Sequence, residues 1–180
     1  VAKLRFKGRD LLFVAYIATI AVPWQAYMLP QFIMMRSMGL YDTLLAMIVL
    51  QAFSAFGVFL MRQFYQGIPT ELCEAARIDG LSEYGIWAKI MLPLSTAAIA
   101  TLVIFTFVGT WNDYMGPMIY LTRDEIKTIQ VGLRRFIQEY TSDYHLIMAA
   151  SLVSLLPVSV VFLCLQKYFI EGIATSGLKG

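Results

Sequence analysis

Charged side chains are scarce in this sequence. Of its 180 residues only 14% are Asp, Glu, Lys or Arg, while 59% are hydrophobic, and soluble domains usually carry about 25% charged residues. So much apolar surface requires a non-aqueous surrounding, and a lipid bilayer is the obvious one. The net charge of +2 is small and the basic residues are scattered, which argues against nucleic acid as a partner.

Groups that carry chemistry are also few. There is one histidine, His145, and the two cysteines, Cys73 and Cys164, lie far apart with no metal-ligand spacing around either. We interpret both as structural thiols. No glycine-rich loop ending in Gly-Lys-Ser or Gly-Lys-Thr occurs, so nucleotide binding is not predicted. The composition therefore predicts a protein that is not itself an enzyme and needs no metal or cofactor.

The chain begins at Val1 rather than at a methionine. Basic residues precede its first apolar run, but no small-residue cleavage site closes that run, so a signal peptide is not predicted. We expect the sequence to be a fragment of a longer protein.

Four apolar runs contain no Asp, Glu, Lys or Arg and approach the length of about 20 residues that a bilayer-spanning helix needs. In lipid every backbone group must find a partner within its own segment, so the runs are predicted to be helices. The fold class is thus an all-α membrane protein, a helical bundle with four transmembrane helices. The predicted spans cover residues 11–29, 43–61, 94–110 and 146–166. Pro23 and Pro157 are expected to kink their helices.

The distribution of Lys and Arg predicts the orientation, because cytoplasmic segments are richer in both. With the N-terminus inside, nine basic residues lie on the inner side and five on the outer side. The inner ones are Lys3, Arg5, Lys7, Arg9, Arg62, Arg77, Lys89, Lys167 and Lys179, and the outer ones are Arg36, Arg123, Lys127, Arg134 and Arg135. Both termini and the segment 62–93 are therefore predicted to be cytoplasmic, in a multi-pass protein of the bacterial plasma membrane.

No predicted span holds a full charge, since Asp42 and Asp113 lie only at predicted span edges. A carrier driven by protons or sodium usually has an intramembrane acid or a broken-helix ion site. The energy for any transport is therefore expected to come from another source.

The segment between the second and third spans has strong helix signals. Thr70 is predicted to cap a helix that starts at Glu71, and Gly80 is predicted to end this helix in the left-handed conformation. Ser82 is predicted to cap a second short helix that stops before Pro93. The expected structure is a helix, a sharp corner and a second helix.

The first of these helices is amphipathic. Its apolar patch consists of Leu72, Ala75, Ala76 and Ile78, and the charged residues around the patch are Glu71, Glu74, Arg77 and Asp79. The helix is too short to be stable alone in water and too polar to insert in lipid. We expect it to dock on a partner, with the two alanines allowing close approach.

The spacing of this segment resembles a known motif. Glu74-Ala75-Ala76, three residues, Gly80, nine residues, Ile90, one residue and Leu92-Pro93 resemble the EAA loop of ABC importer permeases, here residues 70–93. Three flanking stretches are similar to permeases of carbohydrate importers: Ile78-Asp79-Gly80, Thr110-Trp111-Asn112-Asp113-Tyr114 and the C-terminal Gly177–Gly180. The resemblance covers essentially the whole chain.

The resemblance implies a MetI-like permease subunit whose EAA helix is a coupling helix in a cleft of a separate ATPase subunit. It assigns contact and corner positions to Glu74, Ala75, Ala76, Asp79 and Gly80, and return-packing positions to Ile90, Leu92 and Pro93. The implied partners are two ATPase copies, a second permease and an extracytoplasmic sugar-binding protein. Relatives usually have six spans, so the sequence is expected to lack an N-terminal pair.

The sugar path is harder to place. Trp111, Asn112 and Tyr114 either line it, through ring stacking and hydroxyl pairing, or form an interfacial belt at the end of the third span. The outer segment 114–144 is long for a connector. The resemblance implies that it contacts the binding protein, and the alternative is a surface helix that covers the bundle.

The predicted function is that of a permease subunit that moves a small sugar by alternating access. One alternative is an ABC permease for a solute that is not a sugar, because the EAA loop is shared while substrate choice lies in the spans. A second is an ion-coupled secondary carrier. A membrane enzyme ranks last, because no set of catalytic groups is present.

Overall fold

A computed structural model describes residues 2–4, 6–139 and 143–177 of the chain. The regular structure of these residues is helical throughout, which confirms the all-α prediction. The C-terminal residues 178–180, part of the predicted resemblance to carbohydrate permeases, lie outside the described residues.

The α-helices are numbered in chain order. They are α1 (Arg9–Ala18), α2 (Trp24–Ser37), α3 (Leu44–Gln51), α4 (Ala55–Gly67), α5 (Thr70–Ile78), α6 (Glu83–Ile86), α7 (Leu92–Leu94), α8 (Thr96–Trp111), α9 (Met115–Tyr120), α10 (Ile129–Glu139) and α11 (Tyr144–Gly177). A π-helical turn, Trp87–Met91, joins α6 to α7, and short 3-10 turns occupy Thr19–Ala21 and Asp124–Ile126.

Among the described residues, one helix is by itself long and apolar enough to cross a membrane, the Tyr144–Tyr168 part of α11. Three further helix pairs meet the same test only if each bent pair counts as one broken span, which would bring the number to four. The four-span topology and its orientation therefore stay predictions. Pro157 lies inside the continuous helix α11, whereas Pro23 precedes α2, so the chain breaks there instead of kinking.

The chain divides into two compact units. The first comprises Val1–Val22, Ser54–Val103 and Leu165–Gly180. Its buried core consists of Ile68, Cys73, Ala76, Ile86 and Met91. Near the start of this unit Arg62 of α4 pairs with Asp10 at 2.9 Å, and its guanidinium lies 3.9 Å from the centre of the Phe13 ring. The interpretation of Cys73 as a structural thiol agrees with its burial, since only 3% of the residue is exposed.

The second unit comprises Pro23–Phe53 and Ile104–Cys164. Its buried core is formed by Met35 of α2, Ala46 of α3 and Tyr120 of α9. The Phe32 ring packs beside Tyr120, with ring centres 6.1 Å apart. Buried side chains from three helices thus pack α2, α3 and α9 against one another.

In the second unit, Asp42 is hydrogen-bonded to Thr122 and Arg123, and we call this set of bonds the Asp42 clamp. Asp42 has a left-handed φ of 59°, and its Oδ1 accepts hydrogen bonds from the backbone N–H groups of Thr122 (2.7 Å) and Arg123 (3.1 Å). The Arg123 guanidinium donates to Asp42 Oδ2 at 2.9 Å and to the Asp42 carbonyl at 2.7 Å. These bonds, led by that from Thr122, lower the pKa of Asp42 to about 2.

Candidate coupling segment and polar cavity

The first helix of the candidate coupling segment begins one residue earlier than predicted. Helix α5 starts at Thr70, and Pro69 is the residue that precedes it, with φ −55° and ψ 137°. The prediction that Thr70 caps the helix is wrong, because Pro69 already supplies the extended conformation that a capping residue needs. Glu71 does lie in the first turn, where the helix dipole favours an acid.

The corner at Gly80 is confirmed. Gly80 has φ +81°, its N–H donates to the Arg77 carbonyl, and the N–H of Leu81 donates to the Ala76 carbonyl, both at 3.0 Å. This pair of bonds is the Schellman motif, in which a left-handed residue ends the helix. Leu81 packs on the core of the first unit, and the Asp79 N–H donates to the Ala75 carbonyl. Backbone hydrogen bonds and the packing of Leu81 therefore both hold the corner in place.

The second helix starts as predicted but does not end as predicted. The Ser82 hydroxyl accepts from the Gly85 N–H at 3.2 Å, so Ser82 is the predicted cap. The prediction that this helix stops before Pro93 is wrong. The chain stays helical to Leu94, because a π-turn shifts the hydrogen bonding: the Leu92 N–H donates to Trp87, five residues back. Such an adjustment accommodates a proline that has no N–H.

A buried serine makes the turn into the next helix. Ser95 is inaccessible to solvent, and its hydroxyl donates to the carbonyls of Met91 (2.8 Å) and Leu92 (2.9 Å). Helices Glu83–Leu94 and Thr96–Trp111 are bent by 75° at this point. Of the three predicted return positions, Ile90 packs on the core, whereas Leu92 and Pro93 are exposed.

The apolar positions of α5 lie on two faces. Ala76 is 3% exposed and packs with Cys73 against the chain's own core. The predicted partner contact is therefore not open to Ala76, because helical spacing turns it to the same side as Cys73. Ala75 is exposed with Leu72, and Ile78 is 87% exposed. Three of the four predicted apolar positions thus remain accessible.

Charges surround this exposed face as predicted. Arg77 and Glu83 form a two-pronged ion pair across the corner, with Nε to Oε1 at 2.6 Å and Nη2 to Oε2 at 3.2 Å. The hydrogen bond from Arg77 lowers the pKa of Glu83, and that to Glu83 raises the pKa of Arg77. Glu74 is exposed, and its carboxylate makes no hydrogen bond or ion pair with the residues that the structure describes.

The residues predicted to line the sugar path are engaged by their own chain. The Trp111 indole N–H donates to the Ser154 carbonyl at 2.9 Å, and the Asn112 amide donates to the Val108 carbonyl at 2.9 Å. Tyr114 is half-buried. The second unit contains a polar cavity around Gln31 and Asp113, and none of the three residues lines it. Their role on the sugar path therefore stays a prediction.

A cavity of about 300 Å³ opens inside the second unit. Its polar and aromatic lining consists of Trp24, Tyr27, Gln31, Gln51, Asp113 and Tyr120. The Gln31 Oε1 accepts from the Trp24 indole at 2.8 Å and from the Tyr120 hydroxyl at 3.2 Å. Burial raises the pKa of Tyr120, which keeps its hydroxyl a donor.

The far wall of the cavity is built around a carboxylate. Asp113 Oδ1 accepts from the Gly116 N–H at 3.1 Å, and Oδ2 lies 3.4 Å from Gln51 Nε2. The Gln51 Oε1 in turn accepts from the Thr110 hydroxyl. Sequence reasoning missed this set, although a signal existed. Gln51 is an amide side chain inside the uncharged run 43–61, and polar residues in such runs are often functional.

Comparison with known proteins agrees with the motif. Residues 1–175 match the family described as "Binding-protein-dependent transport system inner membrane component". The chain is 35% identical over 175 residues to the arabinooligosaccharides transport system permease protein AraQ of Halalkalibacterium halodurans, covering 97% of this chain and 63% of the relative. It is 33% identical over 172 residues to the lactose transport system permease protein LacG of Rhizobium radiobacter, covering 96% and 63%.

A solved structure is similar as well. It is the crystal structure of a bacterial ABC transporter involved in the import of the acidic polysaccharide alginate, with a TM-score of 0.82 and 29% identity, covering 93% of this chain and 64% of that chain. The chain therefore spans just under two thirds of the length of these relatives. Because the family match extends over almost all of the sequence, the chain belongs to the binding-protein-dependent transport system inner membrane components.

Proposed function

We propose that the chain is part of the permease subunit of an ATP-driven importer that carries a sugar across the bacterial plasma membrane. The observation that carries this proposal is the corner at Gly80, which fixes α5 rigidly while its EAA residues Glu74 and Ala75 stay exposed. ATP hydrolysis takes place in a separate subunit, and this chain transmits the resulting movement.

The attachment of α5 suits it to act as a lever. Cys73 and Ala76 anchor one face of the helix in the core, and the Arg77–Glu83 ion pair crosses the corner. A helix held in this way cannot rotate without moving the residues that follow it. A push on the exposed face would therefore reach the continuous helix Glu83–Leu94 and then the Ser95 turn.

The exposed face has the character of a contact surface. Ile78 is 87% exposed beside an acid-rich rim that includes Glu74 and Asp79. An apolar centre surrounded by charge is typical of a docking site for another protein. The ATPase subunit is the partner that we propose here, with Ala75 allowing close approach. Ala76 serves instead to bring α5 close to its own core.

The proposed topology has four spans, with both ends of the chain and the coupling segment in the cytoplasm. The basic residues favour this orientation. The bent helix pairs support the number of spans, since three pairs and the long α11 give up to four crossings. The further proposed partners are a second permease, which the resemblance implies, and an extracytoplasmic sugar-binding protein. The family's description supports dependence on a binding protein.

The substrate class rests on the relatives. Two of them are named for arabinooligosaccharides and for lactose. We take a sugar as the substrate of this chain on that basis, with transport by alternating access between inward-open and outward-open states.

The test is reconstitution of the full-length permease with its ATPase, second permease and binding protein in proteoliposomes. Labelled arabinobiose and lactose are the probes. We expect uptake that needs ATP and stops when the ATPase subunit carries a disabled catalytic site. Uptake that persists without the ATPase and collapses with an ion gradient would instead establish a secondary carrier and refute the proposal.

A further inference from the structure

We propose that the cavity in the second unit binds one ring of a neutral saccharide and discriminates against anionic solutes. This inference rests on the proposed transport function and deepens it by assigning a substrate contact to this chain. The cavity's volume of about 300 Å³ has room for one such ring. The residues that decide its chemistry are Gln31, Asp113, Trp24 and Tyr27.

The orientation of the Gln31 amide is fixed by its partners. An indole N–H can only donate, so the atom of Gln31 that faces Trp24 at 2.8 Å must be the carbonyl oxygen. The Tyr120 hydroxyl uses the same oxygen. The Gln31 NH₂ group makes no hydrogen bond with a described residue. Because Gln31 lines the cavity, its two N–H donors are available to a ligand.

Asp113 supplies the complementary acceptors. Each of its oxygens takes one N–H, from Gly116 and from Gln51, and a carboxylate has about four acceptor sites. The remaining lone pairs can accept hydroxyl protons. A sugar hydroxyl both donates and accepts, so a wall with amide donors and carboxylate acceptors matches it, while the Trp24 and Tyr27 rings offer faces for stacking.

The carboxylate also sets the charge preference. A phosphorylated or acidic sugar would bring a second negative charge next to Asp113, and like charges repel. A metal cation is a poor alternative occupant, because the described residues contain no group of three or more His, Cys, Asp or Glu side chains. A neutral polyhydroxy compound matches the amide donors and the carboxylate acceptors of this wall without adding a like charge.

Gly116 shapes the acidic wall. A Cβ at this position would lie 2.6 Å from Asp113 Oδ2 and 3.1 Å from the Met47 Cε. Any larger residue would therefore displace the carboxylate, so the position of Asp113 depends on glycine here. The position of the carboxylate in the wall is therefore fixed by the local structure around Gly116.

Protection of an introduced cysteine tests the site directly. Met115 lines the cavity and is 47% exposed, while Met118 on the same helix is 53% exposed and is not part of the lining. In the assembled full-length importer, with Cys73→Ala and Cys164→Ser, Met115→Cys is treated with a maleimide in the presence of arabinobiose, lactose or sn-glycerol 3-phosphate. Met118→Cys is the matched control.

We expect a neutral sugar at ten times its Kd to slow labelling of Met115→Cys about tenfold, with no change for Met118→Cys. Glycerol phosphate should not protect. Asp113→Asn should raise the protecting sugar concentration about tenfold and allow protection by the anion. Asp10→Asn, which removes a carboxylate of the first unit that is exposed and outside the lining, should do neither.

The outcomes separate this inference from the proposed function. ATP-driven uptake with no sugar protection of Met115→Cys would overturn the cavity assignment and leave the permease function intact. Labelling that is blocked by the second permease whether or not sugar is present would identify that subunit as the occupant and also overturn it. Loss of ATP-driven uptake in the unmodified importer would refute the proposed function itself.

Discussion

Two helices of this chain end on the same backbone motif. Gly39 follows the end of α2 with φ +69°, and Gly80 follows the end of α5 with φ +81°. At the first corner, the Gly39 N–H donates to Arg36 at 3.1 Å and the Leu40 N–H donates to Met35 at 3.0 Å, which repeats the Schellman bonding at Gly80. A Cβ at either glycine would meet no atom within 4 Å, so both positions need glycine for the same conformational reason.

The surroundings of the two corners differ. After Gly39 the chain enters the Asp42 clamp, and Met35, four residues before Gly39, is 1% exposed. After Gly80 a capped helix leads away, and acids and the exposed Ile78 remain on the surface of α5. The two corners show that the same backbone motif can stand in different surroundings. We therefore expect the side chains exposed beside the corner, rather than the corner alone, to decide whether it transmits a movement.

Substituting valine for each glycine should give the largest difference in uptake between the two corners. The left-handed conformation costs a β-branched residue about 1–2 kcal/mol, so Gly80→Val and Gly39→Val should destabilise the protein by similar amounts. Only Gly80→Val is expected to abolish ATP-driven sugar uptake, while Gly39→Val keeps most of it. Thermal unfolding and uptake by the reconstituted importer measure the two effects. Equal loss of uptake in both variants would contradict the claim that only the Gly80 corner takes part in coupling.

The Asp42 clamp should have the next largest effect, on stability rather than on coupling. Asp42→Ala removes the acceptor for Thr122 and Arg123 and leaves a left-handed residue without its hydrogen bonds, so the Tm should fall by several degrees. Uptake at moderate temperature should persist. Asp42→Asn, which tolerates the left-handed conformation and keeps an acceptor, is the matched control and should lose less.

The clamp also predicts a pH dependence. The pKa of Asp42 is lowered to about 2 in the folded protein, from an ordinary value of 3.8. Its contribution to stability is therefore complete above about pH 4 and is lost as the pH falls toward about 2. The Tm difference between the unaltered protein and Asp42→Asn should narrow over that range. A constant difference would show that the carboxylate charge does not hold the clamp.

The smallest effect is expected at the ion pair beside Gly80. Glu83→Gln keeps the shape of the side chain but removes its charge, and exposed pairs contribute little. Uptake should stay within about twofold of the unaltered importer. Since Arg77 lowers the pKa of Glu83, any stability that the pair adds is present above the ordinary pKa of Glu and is lost at lower pH. A complete loss of uptake would show instead that the pair itself transmits the movement.

Local signals in the sequence predicted local structure well. The left-handed Gly80, the Ser82 cap and Glu71 in the first turn were predictable, because each depends on residues within one helical turn. The helix through Pro93 was not predictable in this way. It continues through a π-turn, Trp87–Met91, and no local signal in the sequence predicts such a turn.

Tertiary structure decided the remaining differences. Composition placed Ala76 with Ala75 in one patch, but packing against Met91 and Ile86 turns Ala76 inward. The polar cavity unites Gln31, Gln51 and Asp113, which lie on separate helices or loops, so no spacing in the sequence could bring them together. Polar residues within or beside apolar runs were the available signal, and they mark candidates without grouping them.

Contact between α5 and the ATPase is the central claim, and photocrosslinking tests it most directly. Ala75 and the exposed Met34 each precede their corner glycine by five residues, so Met34→Cys is the matched control for Ala75→Cys. With a benzophenone maleimide on each cysteine in the assembled importer, the label at position 75 should crosslink to the ATPase with a yield that changes on ATP binding, and the label at position 34 should not. Absence of an ATPase crosslink from position 75 in every nucleotide state, or equal crosslinking from both positions, would contradict the account.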